Sequence, residues 1–220
     1  MADMNVGILG SGLVAQTIAN KLTHLECEVR LGTRDTGKLI AWREKAGAFA
    51  SFGSFSDAAT FGEIVFNCTA GRASLEALQM AGASNLDGKI LIDVANPLDF
   101  SKGRPPTLTI CNTDSLGEQI QRAFPNVRVV KALNTVNAGV MIRPNVLSGD
   151  HDLFICGNDP SAKAAVSGLL TQWFGWKTII DLGDITAARS TEMMTAIDMR
   201  LIGTFKSAMF NYHIVRPPIQ

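Results

Sequence analysis

Asn5-Val6-Gly7-Ile8-Leu9-Gly10-Ser11-Gly12-Leu13-Val14-Ala15 runs from an apolar segment into an amphipathic one. The first five residues read as a strand, and Leu13, Val14, Ile18, Leu22 and Leu25 then recur at helical spacing. The junction between them is G-x-G-x-x-A. Its first glycine permits a tight turn, and its second lets the backbone approach a pyrophosphate. The small third residue lets helix and strand pack closely. Amides at the helix start point at the anion, and the helix dipole adds to the attraction. Dinucleotide binding is therefore expected on Gly10, Ser11, Gly12, Leu13 and Val14.

Outward from that turn, short apolar runs alternate with amphipathic ones. Strands are expected over 27–31, 48–52, 63–67, 89–94 and 127–131, with helices over 38–46, 56–60, 73–80 and 115–123. A loop over 134–150 precedes strands at 153–156 and 177–181 and helices at 161–174 and from 184 to about 210. Strands that are apolar throughout belong to a parallel sheet covered on both faces. Right-handed crossovers then give an α/β, doubly wound, mostly parallel sheet of the Rossmann NAD(P)-binding type. A soft boundary near 150 divides an NADP-binding domain, 1–150, from a small α/β C-terminal lobe, 151–220.

The end of the second strand selects the cofactor. NAD-binding versions place an acid there, whereas this chain reads Leu31-Gly32-Thr33-Arg34-Asp35. Thr33 can donate to a 2′-phosphate, Arg34 can stack on adenine and pair with the same group, and Lys38 adds a charge. Asp35 dissents, since a rotated loop would offer it to a ribose. NADP(H) is the expected cofactor. Later strand ends complete the groove at Cys68, Thr69, Ala70, Asn96 and Pro97, and at Asn134 and Thr135. Asn96 reads equally as a partner for a nicotinamide amide and as a loop starter.

Composition narrows the function class. Of 220 residues, 46% are hydrophobic, and 20 basic residues balance 20 acidic ones. That balance argues against nucleic acid or an anionic membrane as the main partner. No apolar run is long enough to span a bilayer, and Met1-Ala2-Asp3 does not begin a signal peptide. A cytoplasmic globular protein is expected. Four dispersed cysteines and three unrelated histidines imply no metal.

A dehydrogenase acting on an alcohol must move a proton as well as a hydride, and so needs a positioned acid or base. The single tyrosine, Tyr212, lacks a lysine four residues on, and His151 and His213 have no catalytic context. Lys131 reads as a lysine snorkelling to the rim. No catalytic residue is assigned. Hydride passed directly to a flat redox ring avoids the shortage.

In this set of features the chain resembles the NADPH-dependent deazaflavin reductases, NADP oxidoreductases that use coenzyme F-420. The resemblance is carried by residues 5–12, by Gly32-Thr33-Arg34-Asp35, by Ile92-Asp93-Val94-Ala95-Asn96-Pro97-Leu98 and by Val129-Val130-Lys131-Ala132-Leu133-Asn134-Thr135. Asp181-Leu182-Gly183-Asp184-Ile185-Thr186-Ala187-Ala188-Arg189, followed by Glu192, extends it. It implies hydride transfer between NADPH and a ring stacked on the nicotinamide, in a protein that is frequently a homodimer. By this analogy Ser11, Gly12, Leu13, Thr33, Arg34 and Lys38 hold the NADP phosphates. Asn134, Thr135, Ala138 and Met141 then lie near the reacting rings. Similar domains reduce flavins or pass electrons to ferric iron in membrane reductases. Arg189 and Glu192, three apart on the last helix, are expected to pair with each other.

The leading expectation is an NADPH-dependent oxidoreductase acting on a flavin or deazaflavin acceptor. A non-catalytic NADP(H) sensor and a reductase of a small carbonyl compound are the alternatives. The latter requires an ionisable side chain near the nicotinamide.

Overall fold

The computed structural model describes residues 4–217, so the opening Met1-Ala2-Asp3 lies outside the described residues. In chain order the first half holds β1 (Asn5–Leu9), α1 (Leu13–His24), β2 (Glu28–Gly32), α2 (Ile40–Arg43), β3 (Ala50–Gly53), α3 (Phe55–Phe61), β4 (Ile64–Asn67), α4 (Gly71–Ala81), α5 (Ala83–Leu86) and β5 (Ile90–Asp93). The second half holds β6 (Leu98–Asp99), β7 (Thr107–Leu108), α6 (Leu116–Ala123), β8 (Arg128–Ala132), α7 (Ala138–Met141), β9 (Asp152–Gly157), α8 (Pro160–Phe174), β10 (Thr178–Asp181) and α9 (Ala188–Phe205). Among the described residues no helix is long and apolar enough to cross a membrane.

Eight strands form one sheet in the order β10-β9-β8-β5-β4-β1-β2-β3. The six strands from β8 to β3 are parallel, β9 runs antiparallel to β8, and β10 is parallel to β9. Consecutive residues of the central strands enter opposite cores. Ile8, Phe66, Ile92 and Val130 pack on one face, and Leu9, Val65, Leu91 and Val129 on the other. That is why these strands carry no polar alternation. The strands beyond residue 150 extend this sheet rather than opening a second one.

Local sequence accounts for several helix starts. Ser54 and Asp57 form a reciprocal capping box before α3, and Asp159 accepts from two amides at the start of α8. Some expectations are corrected. Residues 38–46 hold only a 3-10 turn, Thr36–Leu39, and the single turn α2. The 134–150 loop contains α7, capped by Asn137. The last helix ends at Phe205, because Lys206 adopts the left-handed conformation at φ 52°. The chain beyond it is a strap pinned to β9. Asp152 N–H donates to the Tyr212 carbonyl, Ile214 N–H donates to Asp152 Oδ2, and Asn211 Nδ2 donates to the Asp152 carbonyl.

Arg122 grips Asp114 through two hydrogen bonds of 3.0 and 2.8 Å just ahead of α6. The Arg122 bond, more than any other partner, pulls the Asp114 carboxyl from its usual 3.8 down to about 2. A lowered folded-state pKa adds stability above pH 3.8 that disappears as pH falls toward 2. Urea unfolding of Asp114→Asn should therefore show a smaller drop in midpoint between pH 5 and pH 2.5 than wild type. An equal drop in both proteins would remove the assignment.

Candidate active site

The turn after β1 is shaped by two glycines with different tasks. Gly10 sits at φ 131°, and a Cβ there would lie 2.7 Å from the Cys68 carbonyl oxygen. No side chain fits, on either count. Gly12 has φ −82° as the N-cap of α1, and a Cβ there would meet nothing within 4 Å. Its absent side chain leaves open space, not relief of strain. No side chain caps α1, so its first amides remain available to an anion. Gly10 N–H donates to the Gly32 carbonyl, and Gln16 Nε2 to the Ser11 carbonyl, so the turn is held without filling it.

Two cavities flank the loop after β4. The smaller, about 290 Å³, is lined by Gly10, Ser11, Gly12, Thr33, Arg34, Lys38 and Glu76, with Cys68, Thr69 and Ala70 as its far wall. Thr33 Oγ1 lies 3.3 Å from Ser11 Oγ, joining the glycine turn to the end of β2. The Arg34 guanidinium is more than half exposed, 3.6 Å from Glu76. Asp35 turns into its own loop, where Oδ1 accepts from Gly37 N–H and Oδ2 lies 3.7 Å from Lys38. Its Oδ1 caps the 3-10 turn, and the residue also lines the cavity beside Arg34 and Lys38.

The larger cavity, about 560 Å³, shares the Cys68–Ala70 wall and is also lined by Leu13, Val14, Asn96, Asn134, Thr135, Ala138 and Met141. Every expected site residue except Pro97 thus lines one cavity or the other. Pro97 instead packs against Gly71 at the start of α4, and its carbonyl accepts from Thr109 N–H. Asn96 is engaged within the protein. Its Nδ2 donates to the Asn134 carbonyl at 2.7 Å, and its Oδ1 accepts from Asn134 Nδ2 at 3.0 Å. The free acceptor is Asn134 Oδ1, a buried atom without a partner. Leu133, fully buried at φ 64°, turns the chain there at a cost of about 1–2 kcal/mol.

A buried polar chain supports both cavities from below. Lys131 Nζ lies 2.8 Å from Asp93 Oδ2 and 2.8 Å from Glu192 Oε1, and all three side chains are at most 1% exposed. Asp93 Oδ1 accepts from Asn67, whose Oδ1 accepts from Thr69 Oγ1 at 2.7 Å. Glu192 also accepts from the Leu116 and Gly117 amides at the start of α6. Lys131 therefore does not snorkel, and Arg189 does not pair with Glu192. Arg189 reaches Glu118 instead. Burial alone would lower the Lys131 ammonium, but Asp93 and then Glu192 overcome it and hold the ammonium above its ordinary range. Burial pushes the Glu192 carboxyl up against the pull of Lys131.

Sequence reasoning missed the far wall of the larger cavity: Phe100, Thr195, Asp198, Met199, Ile202 and Phe210. Thr195, Asp198, Met199 and Ile202 share one face of α9, by their spacing of three and four. Phe210 comes from the strap, which no periodicity announces.

The chain resembles several known proteins. Residues 5–97 match the family described as NADP oxidoreductase, coenzyme F420-dependent. The chain is 31% identical over 206 residues to the metalloreductase STEAP3 of Rattus norvegicus, covering 91% of this chain and only 38% of that protein. It is 30% identical over 153 residues to the F420-dependent NADP reductase of Methanocaldococcus jannaschii, covering 69% of this chain and 67% of that one. Among solved structures, a candidate F420-dependent NADP-reductase from Arthrobacter sp. FB24 matches with a TM-score of 0.93 at 48% identity, over 97% of this chain and 100% of that one. The reductive aminase of Aspergillus terreus, solved with NADPH and ethyl levulinate, matches at 0.66 and 17% identity over 92% of this chain and 62% of its own, a likeness of fold.

Proposed function

Since the chain belongs to the coenzyme F420-dependent NADP oxidoreductases, we propose that it passes hydride between NADPH and a flavin or deazaflavin ring seated in the larger cavity. The observation that carries this reading is the pair of cavities that share the Cys68–Ala70 wall, one lined by Arg34 and Lys38 beside Asp35 and Glu76 and the other mainly apolar. A dinucleotide laid across the shared wall puts its 2′-phosphate by Arg34, Thr33 and Lys38. Its pyrophosphate then meets the uncapped amides after Gly12, and its carboxamide meets Asn134 Oδ1. When bound, NADPH supplies a hydride. The residues of this chain orient the two rings and keep water out. Thr135, Ala138 and Met141 form the floor on which the acceptor is held at near-attack distance. Asn96 fixes Asn134, and the chain from Lys131 to Thr69 fixes the shared wall.

Anaerobic mixing with NADPH and either FMN or a deazaflavin tests this, read as bleaching of the ring's visible absorbance. No bleaching with any ring would overturn the reading. Asp198, an ionisable group in the larger cavity, meets the requirement of the small-carbonyl alternative, so a small ketone belongs in the same assay. Arg34→Ala should weaken NADPH about thirtyfold, roughly 2 kcal/mol for a charge-assisted contact, and NADH much less. Parallel calorimetric titrations read the difference, and equal losses for both nucleotides would contradict it.

We also propose a cytoplasmic homodimer. Four unpaired cysteines fit a reducing compartment. Met193, Ile197 and Phe205, at intervals of four and eight along α9, are exposed apolar groups suited to a second copy.

A further inference from the structure

We propose that Asp198 is the catalytic acid of this site, giving a proton to an acceptor ring as hydride reaches it. The inference rests on the ring-reduction reading above and extends it. It assigns the acceptor to heterocycles that take up hydride and proton together, in contrast to a one-electron metal acceptor.

Among the polar groups that line the larger cavity, three keep unmet hydrogen-bonding capacity. Asn134 Oδ1 and Thr195 Oγ1 are buried without partners, in residues 5% and 4% exposed. The third is Asp198, 8% exposed. The Tyr212 hydroxyl of the strap donates to Asp198 Oδ1, and no hydrogen bond engages Oδ2 among the described residues. Buried polar atoms left unpaired carry a cost that a bound ligand can remove. Around them stand Phe100, Met141, Met199, Ile202 and Phe210. An apolar lining with a few unsatisfied polar points suits a ring system that carries heteroatoms.

Hydride transfer to a neutral ring leaves a negative charge, which is costly in such surroundings. The other ionisable groups in the cavity lining are Cys68 and Arg72. Burial pushes the Cys68 thiol up, Asp93 adding to the effect, and Arg72 on α4 is exposed and a poor proton donor. On the strap, His213 lies beside Asp152, and His151 of the neighbouring loop contacts Asn211 and the Pro144 carbonyl. Neither lines the larger cavity. Burial raises the Asp198 carboxyl above the usual aspartate range, against the Tyr212 hydrogen bond. The geometry thus provides an acid that holds its proton longer than a surface aspartate.

In the step, the nicotinamide C–H bond breaks and its electron pair and hydrogen form a bond to the ring, which is reduced while the nicotinamide is oxidised. The Asp198 O–H bond breaks and an N–H bond forms on the ring. The carboxylate regains its proton from solvent.

Single-turnover reduction of FMN by NADPH, from pH 4 to 8.5, tests the assignment in wild type, Asp198→Asn, Asp198→Glu and Tyr212→Phe. The wild-type rate should fall as pH rises and Asp198 ionises. Asp198→Asn should be slower by about 100-fold, with a flat profile and NADPH affinity within about twofold of wild type. Asp198→Glu should restore part of the rate and its slope, and Tyr212→Phe should shift the profile to higher pH. A readout free of turnover is the ¹³C-carboxyl NMR titration of the wild-type protein. It should show one aspartate titrating above the usual range and moving when FMN is added to NADP⁺-saturated protein. Asp198→Asn with wild-type rate and slope would overturn the proposal. So would a flat wild-type profile without such a resonance, even if the variant fails to fold. Reduction of FMN with that flat profile removes only the proton step, whereas failure to reduce FMN or any deazaflavin removes the ring-reduction reading as well.

Discussion

Gly12→Asp should abolish measurable NADPH binding while leaving the protein as stable as wild type or slightly more so. The backbone at Gly12 is extended, and a Cβ there meets nothing within 4 Å, so an aspartate fits without strain. Aspartate is a favoured N-cap, and its charge suits the positive end of α1, a gain of a few tenths of a kcal/mol. The same carboxylate takes the amides that the pyrophosphate needs and repels the phosphates. Losing two charge-assisted hydrogen bonds costs at least about 3 kcal/mol, or more than a hundredfold in affinity. Gly10→Ala should behave in the opposite way. Its positive φ and the Cys68 carbonyl 2.7 Å from the new Cβ put the damage into the fold itself. Urea unfolding beside nucleotide titration separates the two. Gly12→Asp protein that still binds NADPH tightly would contradict the cradle.

The largest loss of stability is expected from Lys131→Met. Removing the ammonium leaves Asp93 and Glu192 facing each other without a cation in a site at most 1% exposed. Breaking one partner from a buried ion set costs about 3–5 kcal/mol. For a chain of this size that is a fall in Tm of about 10 °C. The pH dependence gives a second signature. Burial already pushes the Glu192 carboxyl up against the pull of Lys131, and without that pull it rises further above its unfolded value. Its protonated form then favours folding, and that stability is lost as pH rises through the folded value. The variant should therefore recover part of its deficit as pH falls from 7 toward 5. A loss below about 1 kcal/mol would mean that the triad is hydrated or mobile.

How far the amino-acid pattern reached can be traced residue by residue. The β1–α1 turn was legible because glycine has few reasons to recur at that spacing, and the two positions differ: a side chain is excluded at Gly10, whereas Gly12 leaves open space. The central strands were legible because both faces are buried. For the same reason the direction of β9 was not, since a strand buried on both sides reads alike in either orientation. The triad left a signal that went unused. Asp93 ends β5, Lys131 is the penultimate residue of β8, and the two are register partners on neighbouring strands, where a charge in an apolar run requires a partner. Arg189 and Glu192 misled because helical spacing describes only contacts within one helix, whereas α9 packs against α6 and hands each charge to another element. The far wall of the larger cavity had no local signal at all. It depends on a helix that stops at a left-handed lysine and on a strap whose position is set by Asp152.

A crystal structure of the protein with NADP⁺ and oxidised FMN tests the central claim most directly. The 2′-phosphate should lie within hydrogen-bond distance of Arg34 and Thr33, and the carboxamide on Asn134 Oδ1. The flavin should lie between Met141 and the Asp198 side of α9. A dinucleotide whose 2′-phosphate points away from Arg34, or whose nicotinamide lies outside the larger cavity, would contradict it.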